Sequence, residues 1–284
     1  CGANIEASGG VVGVWRHAAA RERGMKRVQV EPHLSVTGAC SAEWVPIKPK
    51  TDAAFLYSLI HVMLHESGRE KLDLEFLMQR TNSPYLVAAN GYFLRDPAKR
   101  EPILAASLEG RERHEALEIG PDAEVLARGS LEGETAFSKL VAHVKPYSPE
   151  WAQAVCDVPA ATIRRIASEY LQHAQIGATT VIDGHVMRYR PVAVTLGKTV
   201  NNGWGGYECC WARTVLATLA GALETPGGIL GTTVRLNRPL SERLKSARPG
   251  PDGFMHYPLN PTDREHWSPS PNIRNAYRTL VPLA

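Results

Sequence analysis

The stretch that decides the fold is "RVQVEPHLSVTGACSAEWVPIKPKTDAAFLYSLIHVMLHE", residues 27–66. It opens with a short β-branched run that is followed at once by an acid and a proline, Glu31 and Pro32. A second acid, Asp52, begins a run whose apolar residues fall at helical spacing: Phe55, Leu56, Leu59, Ile60, Met63 and Leu64. The pattern predicts a strand, a polar loop and an amphipathic helix over about 52–66, with the Asp52 carboxylate as its N-terminal cap.

Upstream of this stretch, "VWRHAAARERGMK" at 14–26 favours a helix that ends at Gly24. The preceding "CGAN" at 1–4 is interpreted as the tail of a strand. Strand, helix and strand then form one βαβ unit with a truncated first strand. We therefore expect the chain to be an internal part of a longer protein, with signal or metal-binding segments outside it.

Downstream, residues 68–137 carry charges and turn residues typical of a surface insertion with short antiparallel strands. Periodic order returns at 138, where Ser148 before Pro149, and then Pro159, predict two helix starts. "GATTVIDG" at 177–184 is interpreted as a buried strand that enters a polar loop, and another helix follows from 209. Residues 235–284, rich in arginine and proline, are expected to wrap a surface.

These patterns predict an α/β fold with a Rossmann-like parallel sheet flanked by helices, an irregular insertion and an extended C-terminal segment. The predicted boundaries are 1–67 for the first part of a cofactor-binding domain and 68–137 for the insertion. The second part of the domain is predicted over 138–234, and the wrapping segment over 235–284.

Composition limits the classes of partner. The 284 residues are 44% hydrophobic with a formal net charge of +3, and the absence of like-charge runs argues against a nucleic-acid partner. The five cysteines have no C-x-x-C spacing and are interpreted as reduced thiols. No apolar run approaches the roughly 18 residues that a membrane span needs. Composition leaves the compartment open between cytoplasm and periplasm.

The two acids are the first candidates for chemistry. In open α/β sheets ligands bind outside the carboxyl ends of the strands, where a carboxylate can accept hydrogen bonds from ribose hydroxyls or a guanine edge. Glu31 follows a strand in this way, and the glycine loop "ASGGVVG" at 7–13 suits a nearby phosphate. Taken locally, Glu31 fits a solvated turn residue, Asp52 a simple helix cap, and the glycines a turn equally well.

Several longer motifs occur in one order. "GAN", the helix with "ARERGMK" and the 28–66 stretch resemble the signature region of molybdopterin oxidoreductases of the dimethyl sulfoxide reductase type. That region reads Gly-x-Asn, helix, strand, Asp-Pro-Arg, a Trp-Leu-x-Ile strand and Pro-Gly-Thr-Asp. "YSPEWAQAVCDVPAATIRRIA" at 147–167 and "NNGWGGYECCWARTVLATLAGALETPGG" at 201–228 resemble two further blocks of the same family. Three positions depart from the pattern: Glu31 replaces Asp, His33 replaces Arg, and Lys50 replaces Gly.

The resemblance implies part of a bis(molybdopterin guanine dinucleotide) site carrying molybdenum or tungsten. Both acids then accept hydrogen bonds from a guanosine, and the loop after the third strand faces the pterins. His185 is as well explained as a structural loop residue. The implied cofactor-binding residues are Gly2, Asn4, Glu31, Pro32, Ser35, Asp52, Gly184, His185, Arg188, Asn201 and Asn202.

The resemblance also implies a two-electron oxidoreductase acting on a small-molecule substrate, with a ferredoxin-like iron–sulfur partner subunit, with or without a membrane-anchor subunit. The [4Fe-4S] cluster and the metal ligand of the family precede the position of Cys1, so no catalytic residue or metal ligand is assigned within these residues. Two rival interpretations remain open at this point. One is an NAD or thiamine diphosphate module, and the other is a cofactor-less structural relative in an electron-transfer complex.

Overall fold

The computed structural model describes residues 1–96, 98–105, 126–128, 131–201, 205–229, 248–249 and 255–256. Its helices are α1 (Ile5–Ser8), α2 (Gly10–Glu22), α3 (Val36–Ala39), α4 (Asp52–His61), α5 (Leu74–Arg80), α6 (Ala136–Val144), α7 (Pro149–Cys156), α8 (Ala160–His173), α9 (Lys198–Asn201) and α10 (Gly206–Leu219). A π-helical turn, Val62–Glu66, continues α4, and a 3-10 turn spans Arg69–Lys71.

The strands are short. They are β1 (Val28–Val30), β2 (Glu43–Val45), β3 (Leu86–Val87), β4 (Leu126–Arg128), β5 (Leu131–Thr135), β6 (Thr179–Ile182), β7 (His185–Arg188), β8 (Arg248–Pro249) and β9 (Met255–His256). Apart from β8 and β9, the predicted wrapping segment 235–284 lies outside the described residues, as does Asn202. In the part of the chain that the structure describes, no helix is long and apolar enough to cross a bilayer.

The two strands of the deciding stretch form a parallel ladder with each other. The βαβ pattern instead predicts that β1 pairs with a strand that ends at residues 1–4, and those residues are not in a strand. Val28 of β1 lies opposite Glu43 of β2, and Val30 lies opposite Val45. The mixed α/β class is therefore confirmed. Among the described strands the parallel pairing is limited to β1 and β2, so a larger Rossmann-like sheet stays a prediction.

The hydrophobic core lies around α4, which packs against α7, α8 and α10. The amphipathic helix predicted over 52–66 is confirmed as α4 and its π-helical turn. Buried side chains from these elements form one cluster that includes Leu56, Ile60, Met63, Ile163 and Leu216. The apolar spacing of residues 52–66 thus places α4 at the centre of the packing rather than on its surface.

The predicted helix starts at 148 and 159 are also confirmed. The Ser148 hydroxyl accepts a hydrogen bond from the Trp151 N–H, at 3.2 Å, and Pro149 occupies the first turn of α7. Pro159 is the N-cap of α8. Short antiparallel strands are present in the predicted insertion, where β5 pairs with both β3 and β4. The domain boundaries themselves stay predictions.

A strand is present within 177–184, as predicted, but the prediction that it is buried is wrong. Residues 179–182 form β6, which pairs antiparallel with β7, and Val181 and its partner Val186 are 65% and 73% exposed. Asp183 and Gly184 link the strands with φ of +49° and +79°, as a two-residue type I′ hairpin turn requires. The Asp-Gly dipeptide is the local signal that turns the chain back after four residues.

Candidate functional site

The first site segment, Cys1–Gly2, is held at the end of β1. The Gly2 N–H donates to the Val30 carbonyl at 2.9 Å, and the Gly197 N–H donates to the Cys1 carbonyl at 2.8 Å. A Cβ on Gly197 would lie 1.9 Å from the Gly2 oxygen, and one on Gly2 would lie 2.8 Å from Val200 Cγ2. These contacts leave no room for a larger residue at either position. At Gly2 a φ of +60° also favours glycine.

Asn4 follows this segment and is oriented by a threonine from the second loop. The Thr37 hydroxyl donates to Asn4 Oδ1 at 2.9 Å and accepts from the Glu6 N–H at 3.1 Å. Thr37 is fully buried. Since the amide oxygen of Asn4 is already used, its NH₂ group is the part left to meet a ligand.

Glu31 is a buried acid whose hydrogen bonds come from its own loop. Oε1 accepts from the Ser35 N–H at 2.8 Å, and Oε2 accepts from Gln29 Nε2 at 2.9 Å. Burial raises the pKa of Glu31, but the hydrogen bonds from Ser35 and Gln29 outweigh it and hold the pKa of this carboxyl below its usual range. Ser35 is buried as well, and its hydroxyl accepts from the Gly38 N–H at 3.2 Å. Pro32 is exposed.

Gln29 joins these two segments. Its side-chain Nε2 donates to the Ala3 carbonyl at 3.0 Å and to Glu31 Oε2 at 2.9 Å. Gln29 is almost fully buried in β1. One amide group therefore connects the residue before Asn4 to the acid after β1.

A salt bridge lies beneath the same loops. Arg27 pairs with Glu6, whose side chain is largely buried. Arg27 also donates to Ser41 Oγ at 3.0 Å and to the Thr37 carbonyl at 3.2 Å. Burial raises the pKa of Glu6, while its polar surroundings, including the Arg27 guanidinium, lower it to a net value below the usual range. The pair fixes the base of α1 against the 31–41 loop.

Asp52 differs from Glu31 in the partners of its carboxylate, which are the charged amino group of Cys1 and the backbone N–H of Asp52 itself. It is the first residue of α4, and the N-cap position is Thr51, so the predicted capping bond from Asp52 is wrong. Asp52 is partly buried, and burial raises the pKa of its carboxyl. Among the described residues it accepts no side-chain hydrogen bond. Lys50 has a φ of +65°, so the turn before Asp52 keeps the left-handed geometry that glycine adopts freely.

The residues predicted in the 184–202 loop fall into two places. Gly184 and His185 lie at the exposed turn and start of β7. Asn201 ends α9, next to Val200 and therefore close to Gly2, and its Oδ1 accepts from Cys210 Sγ at 3.4 Å. Their binding roles stay predictions.

Arg188 has a strong interaction that sequence reasoning missed. Arg188 and Arg190 both donate to Asp73, the latter from Nε to Oδ2 at 2.8 Å. The Arg188 guanidinium also lies over the Phe76 ring, 5.0 Å from its centroid. Asp73 additionally caps α5 by accepting from the Phe76 N–H at 3.1 Å. The described contacts of Arg188 are thus with the protein core beside the hairpin.

All five cysteines are free thiols. Among the described residues, no group of three or more His, Cys, Asp or Glu side chains is arranged to hold a metal ion.

Fold and site together define an α/β segment whose loops gather at the carboxyl ends of two parallel strands, the edge at which such sheets bind ligands. Around that edge lie Gly2 and Gly197, which have no room for a Cβ, the side-chain amide of Asn4, and the Asp52 carboxylate. No family model matches the chain, but curated proteins do.

A sulfite dehydrogenase subunit of Allochromatium vinosum is 28% identical over 237 residues, which cover 73% of this chain and 24% of that protein. Dimethyl sulfoxide reductase DmsA of Escherichia coli is 28% identical over 225 residues, covering 79% and 21% respectively. The thiosulfate reductase molybdopterin-containing subunit PhsA of Salmonella typhimurium is 25% identical over 150 residues, covering 53% and 12%.

By name, these relatives include a molybdopterin-containing subunit and a dimethyl sulfoxide reductase, so the chain is similar to catalytic subunits of molybdopterin oxidoreductases of the dimethyl sulfoxide reductase type. The resemblance seen in the sequence is therefore confirmed. The chain spans about a quarter of the length of the curated relatives it matches, or less.

Proposed function

We infer that this chain is the part of a molybdenum or tungsten oxidoreductase that binds the guanosine and pyrophosphate arm of a bis(molybdopterin guanine dinucleotide) cofactor. The observation that carries the proposal is the Asp52 carboxylate, which is partly buried and has a raised pKa. It accepts no side-chain hydrogen bond among the described residues. Burial disfavours the charged form of this carboxylate, so it suits a ligand that presents N–H or O–H donors to it.

The residues present fit such a group. Gly2 and Gly197 have no room for a Cβ, because Gly2 lies against Val200 and Gly197 lies against the Gly2 backbone. Two segments of the protein therefore pack closely at this strand end, and close packing of backbone is also a feature of dinucleotide-binding loops. Among the described residues the NH₂ group of Asn4 donates no hydrogen bond, so it is available to an oxygen acceptor. Donor, acceptor and close backbone therefore occur together at one edge of the sheet.

The cofactor, when bound, supplies two-electron redox chemistry at its metal, and the protein supplies orientation and electrostatics. Asp52 would accept from the guanine N1 and N2 hydrogens or from ribose hydroxyls, and Asn4 would donate to a phosphate or carbonyl oxygen. Glu31 and Ser35 would shape the loop that carries Pro32. The proposal also includes a Rossmann-like sheet, a small-molecule substrate, a [4Fe-4S] cluster outside these residues and an iron–sulfur partner subunit.

The test uses the full-length protein in wild-type form and as Asp52→Asn. Metal content is measured by mass spectrometry, and guanine is measured after acid hydrolysis. The wild type should release guanine and contain molybdenum or tungsten, and Asp52→Asn should reduce both. Its thermal midpoint at neutral pH should not fall, because the variant removes a partly buried charge without a side-chain partner.

The outcomes separate the rival functions. Release of NAD or thiamine diphosphate in place of guanine would identify another nucleotide-binding module. A folded wild type with neither metal nor nucleotide would identify a structural relative. Retention of full guanine content in Asp52→Asn would remove the role assigned to this carboxylate.

A further inference from the structure

We propose that Gln29 and Thr37 are positioning residues that hold the Gly2–Asn4 segment against the Glu31–Gly38 loop, so that both cofactor-facing segments keep one fixed relative position. This rests on the proposed function. Neither residue touches the ligand edge through a free polar group. Thr37 acts through Asn4, and Gln29 acts through Ala3 and the loop that Glu31 organises.

Gln29 occupies a position where a buried parallel strand ordinarily carries an apolar side chain. It uses its Nε2 hydrogens on two different segments, the Ala3 carbonyl at 3.0 Å and Glu31 Oε2 at 2.9 Å. Both bonds are shielded from water, because Gln29 and Glu31 are each 4% exposed. Loss of the amide would leave the Glu31 carboxylate with one donor fewer in a site where unmet acceptors are costly.

Thr37 determines what Asn4 can offer. The threonine hydroxyl donates to Asn4 Oδ1 and accepts from the Glu6 N–H, so the amide of Asn4 has one favoured orientation. In that orientation the NH₂ group is the free part. Asn4 is therefore a donor toward the ligand, and the ligand must present an acceptor such as a phosphate oxygen.

Glu31 has a complementary role within the protein. Both of its oxygens already accept bonds from Ser35 and Gln29, and Gly38 leaves space for Oε1, since a Cβ there would lie only 2.6 Å away. The acid after β1 thus organises the 31–38 loop, whereas Asp52 accepts no side-chain hydrogen bond among the described residues. Gln29 couples that loop to the Asn4 segment.

The experiment compares full-length proteins carrying Gln29→Met, Thr37→Val and Thr37→Ser with the wild type. Two quantities are measured: guanine per polypeptide after acid hydrolysis, and the rate at which folded protein loses guanine nucleotide well below its thermal midpoint. Gln29→Met and Thr37→Val should release nucleotide about five to ten times faster, the change that corresponds to one or two buried hydrogen bonds. Thr37→Ser keeps the hydroxyl and should restore the wild-type rate.

Thr81→Val is the matched control. The Thr81 hydroxyl also accepts from a backbone N–H, that of Ser83 at 3.0 Å, and donates to the Leu77 carbonyl at 2.6 Å. This variant should lower the thermal midpoint about as much as Thr37→Val while leaving nucleotide release unchanged. Asn4→Asp keeps the bond from Thr37 but replaces the free donor with an acceptor, and it should accelerate release beyond either variant.

The inference fails if Thr37→Val and Gln29→Met release guanine at the wild-type rate, or if Thr81→Val accelerates release equally. If Gln29→Met does not fold, the Thr37→Val and Thr37→Ser pair decides the question. A wild type that contains no guanine would instead overturn the proposed function, so the two failures are distinct.

Discussion

Glu31 and Asp73 are both acids with almost no solvent exposure, at 4% and 3%, and the protein satisfies them in opposite ways. Glu31 accepts from an amide and a backbone N–H, whereas Asp73 accepts from two guanidinium groups. Each carboxylate also lies against a glycine that has no room for a Cβ, Gly38 and Gly221 respectively.

The difference shows two uses of a buried carboxylate. Uncharged donors fix the conformation of the Glu31 loop through hydrogen bonds whose net free energy is small, so a single substitution can alter that conformation. The ion pairs of Asp73 join distant parts of the chain, since Arg188 and Arg190 lie 115 and 117 positions beyond Asp73. Removal of one partner would leave the other charge buried and unpaired. We expect the first arrangement to control ligand binding and the second to control stability.

The largest effect is expected from Asp73→Ala. The change leaves the buried Arg190 guanidinium without its carboxylate and removes the α5 cap, so the free energy of unfolding should fall by about 3–5 kcal/mol. Urea unfolding of the full-length protein, followed by tryptophan fluorescence, measures it. Glu150→Ala is the control, because Glu150 pairs with Arg164 at an exposed site and its loss should not be measurable. Equal effects of the two variants would contradict the comparison.

The next largest effect is expected from Gly221→Ala. A Cβ there would lie 2.3 Å from Asp73 Oδ2, and Gly221 has a φ of +64°. The left-handed backbone costs about 1–2 kcal/mol in an alanine, and displacement of the carboxylate adds to it. Gly91 has a similar φ, and a Cβ there would meet no other atom. The difference in thermal midpoint between Gly221→Ala and Gly91→Ala therefore measures the effect of the contact between the added Cβ and Asp73. No difference would show that Asp73 moves freely.

Gly38→Ala applies the same insertion to the other acid. Its Cβ would lie 2.6 Å from Glu31 Oε1, while alanine gains up to about 1 kcal/mol in helix propensity. These effects oppose each other, so we expect little change in thermal midpoint and a clear loss of guanine content. Gly13→Ala, in α2 with no neighbour near the Cβ, should only stabilise the protein. A Gly38→Ala protein with full guanine content would argue against the role given to Glu31.

The pH dependence of stability should distinguish the acids at the ligand edge. Because the folded-state pKa of Glu31 is lowered, its contribution is present above the ordinary glutamate pKa and is lost as pH falls through the folded value. The gap in thermal midpoint between wild type and Glu31→Gln should therefore be widest at neutral pH and close in acid. The raised pKa of Asp52 has the opposite sign, so Asp52→Asn should gain stability relative to the wild type as pH rises. Parallel pH profiles for both variants would contradict this assignment.

The smallest effect on guanine content is expected from Gly184→Ala. The position has a φ of +79° with no atom near the added Cβ, so only backbone strain of about 1 kcal/mol is expected. Guanine content should be unchanged if the hairpin serves mainly to deliver Arg188 to Asp73. Loss of guanine without loss of stability would instead support the binding role that the family resemblance implies for Gly184.

The sequence predicts well where signals are local. The apolar spacing of residues 52–66, Ser148 before Pro149, and the β-branched residues around Gln29 each determine their element within a few residues. The motif order is also sufficient to indicate the family resemblance that the comparison with curated proteins bears out. Lys50 departs from the family pattern in residue type, yet it adopts the left-handed φ that explains a glycine at that place.

The remaining features of the fold and the site depend on contacts between residues distant in sequence, which no local sequence pattern predicts. Asp73 and Arg190 are 117 residues apart in the chain, and only the fold brings them together. Glu31 has the spacing of a ligand acceptor, but the direction of its carboxylate depends on Gln29 and on the space beside Gly38. The β6–β7 hairpin escapes prediction because its apolar residues suggest burial, and the Asp-Gly turn outweighs that signal.

That hairpin has apolar side chains on both of its faces, Val181 and Val186 on one and Ile182 and Met187 on the other, all exposed. A two-stranded ribbon of this kind is marginally stable in water and its open edges invite pairing with another chain. In the test tube, protein with this ribbon uncovered should self-associate more strongly as sulfate concentration rises, because excluded salts strengthen apolar burial. The place where the chain turns back on itself is thus also an aggregation hazard.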